Sequence, residues 1–244
     1  MPGRPRSRPL PSSLSPNPAG AHFLSDRALI SQLIRASGLG PGDLVFDLGA
    51  GHGALTAPLA STGARVIAIE LDPALAERLR RRFRANPLVG VVEADLRSVP
   101  LPRRPFHVVA SPPFALTTLL CRRLLGDRGV RLAGAELILE WGAARWLSSP
   151  QPRDRETARW MSRYEIRLIR TVAAASFSPP PRSDAAYVRI RPRAARGADG
   201  QLAGRGLGAG GRRARRDFVG RLEADRGQRR PEGALPGGPR SGRA

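Results

Sequence analysis

Apolar positions recur along the middle of this chain in two alternating rhythms. Over Ala28–Ser37, residues Leu29, Ile30, Leu33 and Ile34 share one helical face, and Gly38 follows as a stop. Leu44–Leu48 is a short apolar run that ends in glycines, the pattern of a buried strand. Gly53–Ala60 predicts a helix, Arg65–Glu70 a second strand, and Pro73–Arg84 a helix with proline in its first turn. Val89–Glu93 and Phe106–Ala110 read as the third and fourth strands, Phe114–Leu125 as a helix and Gly134–Glu140 as a fifth strand. Tyr164–Val172 and Ala185–Ile190 close the series with period-two character. Strands that alternate with helices build a mostly parallel sheet covered on both faces. The expected fold is therefore an open, doubly wound, Rossmann-like α/β domain, which binds ligands at the carboxyl ends of its strands.

Composition divides the 244 residues into three parts. Residues 1–19 are rich in Pro and Arg and are expected to form a disordered arm. Residues 20–192 hold the regular patterning, with 25 Arg against 15 acids. Residues 193–244 carry 13 Arg and 13 Gly with few large apolar side chains, and are expected to be a mostly disordered tail. Within it, Arg212–Asp225 has the makings of a short basic helix. The formal net charge is +21, which favours an anionic partner. No apolar run reaches the ~20 residues of a membrane span, and the N-terminus has no apolar stretch resembling a signal peptide. A cytoplasmic protein without a membrane partner is expected. A lone cysteine, Cys121, excludes a disulfide framework. His22, His52 and His107 show no ligand spacing, so no metal is expected.

The strongest local pattern is Phe46-Asp47-Leu48-Gly49-Ala50-Gly51-His52-Gly53-Ala54-Leu55-Thr56, which leaves a strand and opens a helix. Glycines at alternate positions allow a tight turn and a close backbone approach to a ligand. The run also satisfies the dinucleotide fingerprint through Gly49, Gly51 and Ala54. Two details favour S-adenosyl-L-methionine over a dinucleotide. Asp47 would repel a pyrophosphate but can bind an ammonium or a hydroxyl, and three alternate glycines admit a nucleoside. Glu70 ends the next strand, placed for both ribose hydroxyls, a position dinucleotide folds share. Glu93-Ala94-Asp95 ends the third strand, and Asp95 can accept an adenine amine.

The fourth strand runs into Ser111-Pro112-Pro113-Phe114, where two prolines hold the backbone extended. Such a turn aims carbonyl oxygens and the Ser111 hydroxyl into a cleft. An exocyclic amine is a poor nucleophile because its lone pair is delocalised into the ring; acceptors for its hydrogens favour a pyramidal nitrogen. Phe114 can stack on a base that has left its helix, worth ~1–3 kcal/mol. Ser111, Pro112 and Phe114 are thus the candidate catalytic residues. His22 reads as a cap before the first helix, His52 as a neighbour of the ligand's edge, His107 as structural and Cys121 as an inert thiol.

Taken in order, Gly20-Ala21-His22-Phe23-Leu24, the glycine loop, Ile69-Glu70-Leu71-Asp72, Glu93-Ala94-Asp95, Ser111-Pro112-Pro113-Phe114 and the Pro-rich stretch Phe177–Asp184 resemble the ribosomal RNA adenine-N(6) methyltransferases. The likeness is nearest to their erythromycin-resistance branch and covers about residues 17–192. It implies a monomeric, S-adenosylmethionine-dependent enzyme that methylates an adenosine of 23S rRNA and confers macrolide-type resistance. It also implies that His22, Leu24, Gly49, Glu70, Asp95 and Ser111 contact the cofactor, beside Asp47, Gly51 and Gly53 of the loop. Ser111 and Phe114 match the target-base pocket. The chain departs from the family at Ser111, where Asn is usual, at Ala21, where Gln is usual, and in its C-terminal part, where a small helical domain is usual. Serine lacks the amide fork of Asn. A Ser-Pro-Pro-aromatic turn also occurs in cytosine-N(4) DNA methyltransferases, so a DNA amino-methyltransferase and a catalytically weak RNA-binding protein are the alternatives. Arg78–Arg84, the pair Arg103-Arg104, the pair Arg122-Arg123 and the tails are candidate phosphate contacts.

Overall fold

The computed structural model describes residues 22–193. The arm over 1–19, Gly20 and Ala21, and the tail beyond 193 with its segment Arg212–Asp225 lie outside the described residues. In chain order the elements are β1 (Phe23–Leu24), α1 (Arg27–Ser37), β2 (Leu44–Leu48), α2 (Thr56–Ser61), β3 (Arg65–Glu70), α3 (Pro73–Phe83), β4 (Val89–Glu93) and β5 (Phe106–Ala110). They continue with α4 (Thr117–Cys121), β6 (Leu132–Glu140), α5 (Trp141–Leu147), α6 (Arg155–Arg163), β7 (Tyr164–Val172), β8 (Phe177–Ser178) and β9 (Ala185–Pro192).

Seven strands form one sheet in the order β4-β3-β2-β5-β6-β9-β7. The neighbours from β4 to β6 pair in parallel, whereas β9 runs antiparallel between β6 and β7. The chain winds outward from β2 through β3 to β4, then returns to start again at β5. The order therefore reverses between β2 and β5, and a crevice opens there at the strands' carboxyl ends. A separate two-stranded ribbon, β1 with β8, stands at that same end.

Side chains of successive strand residues point to opposite faces, so each strand feeds two cores. Phe46, Leu48, Ile67 and Ile69 pack with Leu120, Leu124 and Trp160 on one face. Val45, Val66, Val109 and Tyr187 pack with Leu29, Leu33 and Leu59 on the other. The helix ends follow their capping residues. Asp26 accepts from the Leu29 N–H at 3.0 Å, and Gly38 ends α1 in the left-handed region at φ 64°. Asp72 accepts from Ala74 and Leu75 ahead of α3, with Pro73 in the first turn.

The elements depart from expectation where local rhythm is a poor guide. The helix expected over Gly53–Ala60 begins only at Thr56, because Gly51 and Gly53 hold positive φ (53° and 80°) that no right-handed helix admits. The helix expected over Phe114–Leu125 is three pieces: a 3₁₀ turn over Phe114–Leu116, α4, and a wide π turn over Arg122–Gly126. Helices α5 and α6, seven and nine residues long, are too short for a helical rhythm to stand out, and no expectation preceded them. Of the candidate phosphate contacts, the pair Arg103-Arg104 precedes Phe106, the first residue of β5, so it lies at the amino end of the strand, opposite the crevice, and not at its mouth. Two more of the candidate phosphate contacts are engaged internally: Arg122 pairs with Glu156 at 3.0 Å, and Arg123 donates to the carbonyls of Leu96 and Val99.

Candidate functional site

Four strand ends deliver the site. The loop after β2 leaves Leu48 and turns through Gly49, Gly51 and Gly53, all with positive φ. A side chain at Gly51 would meet the Phe23 ring at 2.7 Å, so this glycine lets β1 lie across the loop. One at Gly49 would press on Pro113 at 3.2 Å, so this glycine lets the Ser111–Phe114 turn come close. Gly53 differs: a side chain there would meet Leu79 at 2.8 Å and Phe83 at 3.2 Å. Its smallness seats α3, and Gly53 does not border the crevice cavities described below.

Four of the loop's amides are already committed. Gly49 and Ala50 both donate to the Ile69 carbonyl at 2.9 Å, Gly53 donates to Ala50, and Gly51 donates to the Glu70 carboxylate at 2.7 Å. A diphosphate-binding loop keeps such donors free for its ligand. Here they are spent, and two carboxylates stand beside them, so the loop suits a ligand that offers hydroxyls or positive charge.

Glu70 ends β3 and is nearly buried. Beyond Gly51, it accepts from Leu71 at 2.8 Å and Asp72 at 2.9 Å, which takes three of the roughly four acceptor positions of a carboxylate. One hydroxyl can join without exchange; a second must displace an amide. Asp95, after β4, is tied to Arg97 through the backbone N–H and the guanidinium, both at 2.8 Å. That side-chain hydrogen bond holds its carboxyl below the usual range. Asp47 lies deeper, 1% exposed, and accepts from the Thr56 hydroxyl at 2.6 Å. Burial pushes its carboxyl up to about 7, the Thr56 hydrogen bond opposes this, and the negative charge of Glu70 adds to it.

Two cavities meet at this end of the sheet. One, of about 360 Å³, is lined by Glu70, Asp95, Gly49, Gly51, Pro112 and Phe114 among others. The second, of about 280 Å³, is lined by Leu24, Asp47, Ala50, His52 and Leu55 among others. His22 and Ser111 border both. The Ser111 hydroxyl is buried and has no hydrogen-bond partner among the described residues. A buried polar atom left unsatisfied is costly, so this oxygen is set up for a ligand or a water.

The ribbon closes the outer wall. His22 Nδ1 donates to the Pro179 carbonyl at 2.9 Å, and its ring lies 6.2 Å from that of Phe114. Phe114 meets Phe177 edge-on at 5.9 Å, and His52 lies 4.4 Å from Phe23. His22 thus belongs to the cavity wall rather than serving as a helix cap; Asp26 caps α1. His107, on β5, and Cys121, whose thiol burial pushes up to about 12, lie away from both cavities. Sequence reasoning missed Thr56, Phe23 and Arg82, which donates to the His52 carbonyl at 2.7 Å. Thr56 carried a usable signal, since a hydroxyl nine residues after a buried acid faces it across the loop.

The residues fit S-adenosylmethionine. Carboxylates at the ends of β3 and β4 suit a nucleoside, and the adjoining cavity, bordered by Asp47, has room for an amino-acid portion. No group of three or more His, Cys, Asp or Glu among the described residues is arranged to hold a metal. No helix among them is long and apolar enough to cross a membrane.

Comparison with known proteins matches this geometry. A family profile described as "Ribosomal RNA adenine dimethylase" covers residues 17–201. An rRNA adenine N-6-methyltransferase of Bacillus licheniformis is 30% identical over 185 residues, 76% of this chain and 64% of the relative. The mycinamicin-resistance protein MyrB of Micromonospora griseorubida is 35% identical over 176 residues, 72% of this chain and 55% of its own length. A ribosomal RNA small subunit methyltransferase A of Thermosynechococcus vestitus is 36% identical over 182 residues, 71% of this chain and 68% of its own. The crystal structure of the 23S rRNA methyltransferase ErmE superposes with a TM-score of 0.65 at 30% identity, covering 70% of each chain. The chain thus spans a little under two thirds of the Bacillus relative.

Proposed function

This chain belongs to the ribosomal RNA adenine dimethylase family, and from that membership we propose that it transfers a methyl group from S-adenosylmethionine to the exocyclic amine of an adenosine in 23S rRNA. The consequence for the cell is resistance to macrolide-type antibiotics. The observation that carries the reading is the unpartnered Ser111 hydroxyl, which borders both cavities, on a turn packed against the glycine loop. The choice of the large subunit rests on the likeness to ErmE and to the mycinamicin-resistance protein. The likeness to a small-subunit methyltransferase supplies the competing target.

S-adenosylmethionine, when bound, supplies an electrophilic methyl on a sulfonium. The protein does the positioning. Glu70 binds a ribose hydroxyl and Asp95 the adenine amine. Asp47, with His22 and Leu24 around the second cavity, receives the amino-acid end. Gly49 and Gly51 keep the backbone close. Phe114 stacks on the splayed-out target base, and Ser111 accepts a hydrogen from its amine. Pro112, with Pro113, holds that acceptor still, so little reorganisation accompanies transfer. With Ser111 and Phe114 holding the amine toward the donor's methyl, the amine would offer its lone pair to that methyl and release a proton to solvent. Asn at position 111 would offer a carbonyl acceptor on a longer arm. Serine offers a single hydroxyl closer to the backbone, which favours one methyl over two. The protein acts as a cytoplasmic monomer.

Mass spectrometry of rRNA from cells with and without the protein tests this. The expected result is an N(6)-methylated adenosine in 23S rRNA only when the protein is present. The same adenosine unmodified in both samples would contradict the proposal. Methylation confined to small-subunit rRNA would move the target to the sister branch.

A further inference from the structure

The sheet has a second end, and that end carries the opposite chemistry. At the amino ends of β5 and β6, where β7 begins and β9 finishes, lies a groove of about 1360 Å³. Arg128, Arg131, Arg163 and Arg193 line it, with Glu165 as its one acid. Glu165 is already neutralised, because Arg167 donates to it at 2.9 and 2.6 Å. Arg103 and Arg104 stand beside Pro105, a lining residue, and extend the same face.

Two of these guanidiniums are braced. Arg163 donates to the Leu125 carbonyl at 3.0 Å and lies over the Tyr164 ring at 5.2 Å. Arg193 donates to the carbonyls of Met161 at 2.7 Å and Tyr164 at 3.2 Å. A guanidinium has five donor hydrogens, so each braced group keeps donors for a second partner. Held in place, it loses little rotamer freedom on binding an anion. Arg128 and Arg131 are exposed, and their guanidiniums make no hydrogen bond or ion pair among the described residues; the Arg131 carbonyl accepts from the Phe106 N–H at 3.2 Å. Pre-set arginines flanked by free ones match a chain of phosphodiesters, which bind guanidiniums through paired hydrogen bonds.

We infer that this groove is a second RNA-backbone contact, at the opposite end of the sheet from the catalytic crevice. It rests on the RNA substrate proposed above. At about 3.3 Å per residue, the nine residues of β6 put the two ends about 26 Å apart. The groove therefore engages RNA well beyond the target loop, and only a substrate that reaches around the sheet can use it.

The test uses full-length protein carrying Arg128→Glu with Arg131→Glu, against a control with the same charge change on α1, Arg27→Glu with Arg35→Glu. Binding is measured over a salt series with intact 23S rRNA and with a short stem-loop bearing the target adenosine. Each lost phosphate contact lowers the slope of log K against log salt by about 0.7–0.9. The groove variant is expected to lose about 1.5 units of slope and at least tenfold affinity for intact rRNA. It should keep its S-adenosylmethionine affinity and its methylation of the stem-loop, and the control should lose less than half a unit. An unchanged slope in the groove variant, or an equal loss in the control, overturns the inference while the methyltransferase reading stands. Failure of the parent protein to bind any rRNA overturns both.

Discussion

The two ends of the central sheet carry opposite charges and draw on different strands: the acids stand on or after β2, β3 and β4, the arginines flank β5, β6, β7 and β9. At the carboxyl ends stand Asp47, Glu70 and Asp95, beside an unpartnered serine hydroxyl and aromatic rings. At the amino ends stand Arg103, Arg104, Arg128, Arg131 and the braced Arg163 and Arg193. The acids gather where parallel strands end together, whereas the arginine groove forms where β9, antiparallel to both neighbours, finishes between β6 and the start of β7. The acidic end suits a small cationic donor and disfavours diphosphates through the repulsion of its carboxylates. The basic end suits a polyanion and has no enclosed cavity for a small one. A net charge of +21 by itself says only that an anion is favoured; the fold says where it can sit without neutralising the donor site.

Substitutions can break the acidic end while sparing the other. The largest effect is expected from Gly51→Val. The new side chain meets the Phe23 ring, at 2.7 Å for the first carbon alone, in a backbone with φ 53° that β-branched residues avoid. Calorimetry should show S-adenosylmethionine affinity reduced beyond about a hundredfold, with the salt slope for rRNA retained. A variant that still binds the donor normally would show that the loop is not its seat.

Phe114→Ala comes next. Removing a stacking surface worth ~1–3 kcal/mol should lower turnover by roughly 5- to 150-fold, while donor affinity changes little. Full turnover in this variant would remove the base-stacking role.

Gly53→Ala separates packing from binding within one loop. Its Cβ would meet Leu79 at 2.8 Å at φ 80°, so the cost falls on the seat of α3. The melting temperature should drop by several degrees, for a loss on the order of 1–3 kcal/mol, with donor affinity per folded molecule near normal. A selective loss of donor affinity at unchanged stability would return Gly53 to the binding set.

Asp47→Asn gives the smallest and most pH-specific effect. Burial raises the folded carboxyl from 3.8 to about 7, so between those values the folded state holds a proton that the unfolded state has released. Asp47's own contribution to stability in the absence of donor is therefore most favourable near pH 4 and falls as pH rises toward 7, beyond which its full penalty remains. The variant, with no proton to lose, should gain melting temperature over the parent at pH 8 and little at pH 4. An identical pH profile for both would remove Asp47 as the titrating group.

Much of the acidic end was legible because it is local. Asp47, the alternate glycines, Glu70, Asp95 and the Ser111–Phe114 turn each sit at the end of an apolar run, and a parallel sheet brings such ends together. Strands β3, β4 and β5 follow the apolar runs residue for residue. The roles inside the loop were not legible, since Gly51 and Gly53 look alike in sequence. Only the approach of Phe23 to one, and of Leu79 and Phe83 to the other, separates them. The β1–β8 ribbon was hidden as well: Phe23 and Leu24 pair with Ser178 and Phe177 across more than 150 residues, beyond the reach of any periodicity. The arginine groove escaped for the same reason, because β6, β7 and β9 contribute to it from distant parts of the chain, and the end of β5 at which Arg103-Arg104 lies follows only from the strand directions.

The most direct test of the central claim, that donor and adenosine meet between β2 and β5, is transfer of labelled methyl from S-adenosylmethionine to protein-free rRNA by the parent and the Phe114→Ala and Gly51→Val variants. The account predicts label on an adenosine of 23S rRNA with the parent, a small fraction of that rate with Phe114→Ala, and none with Gly51→Val. Equal labelling by all three proteins, or labelling of duplex DNA with none in rRNA, would contradict it.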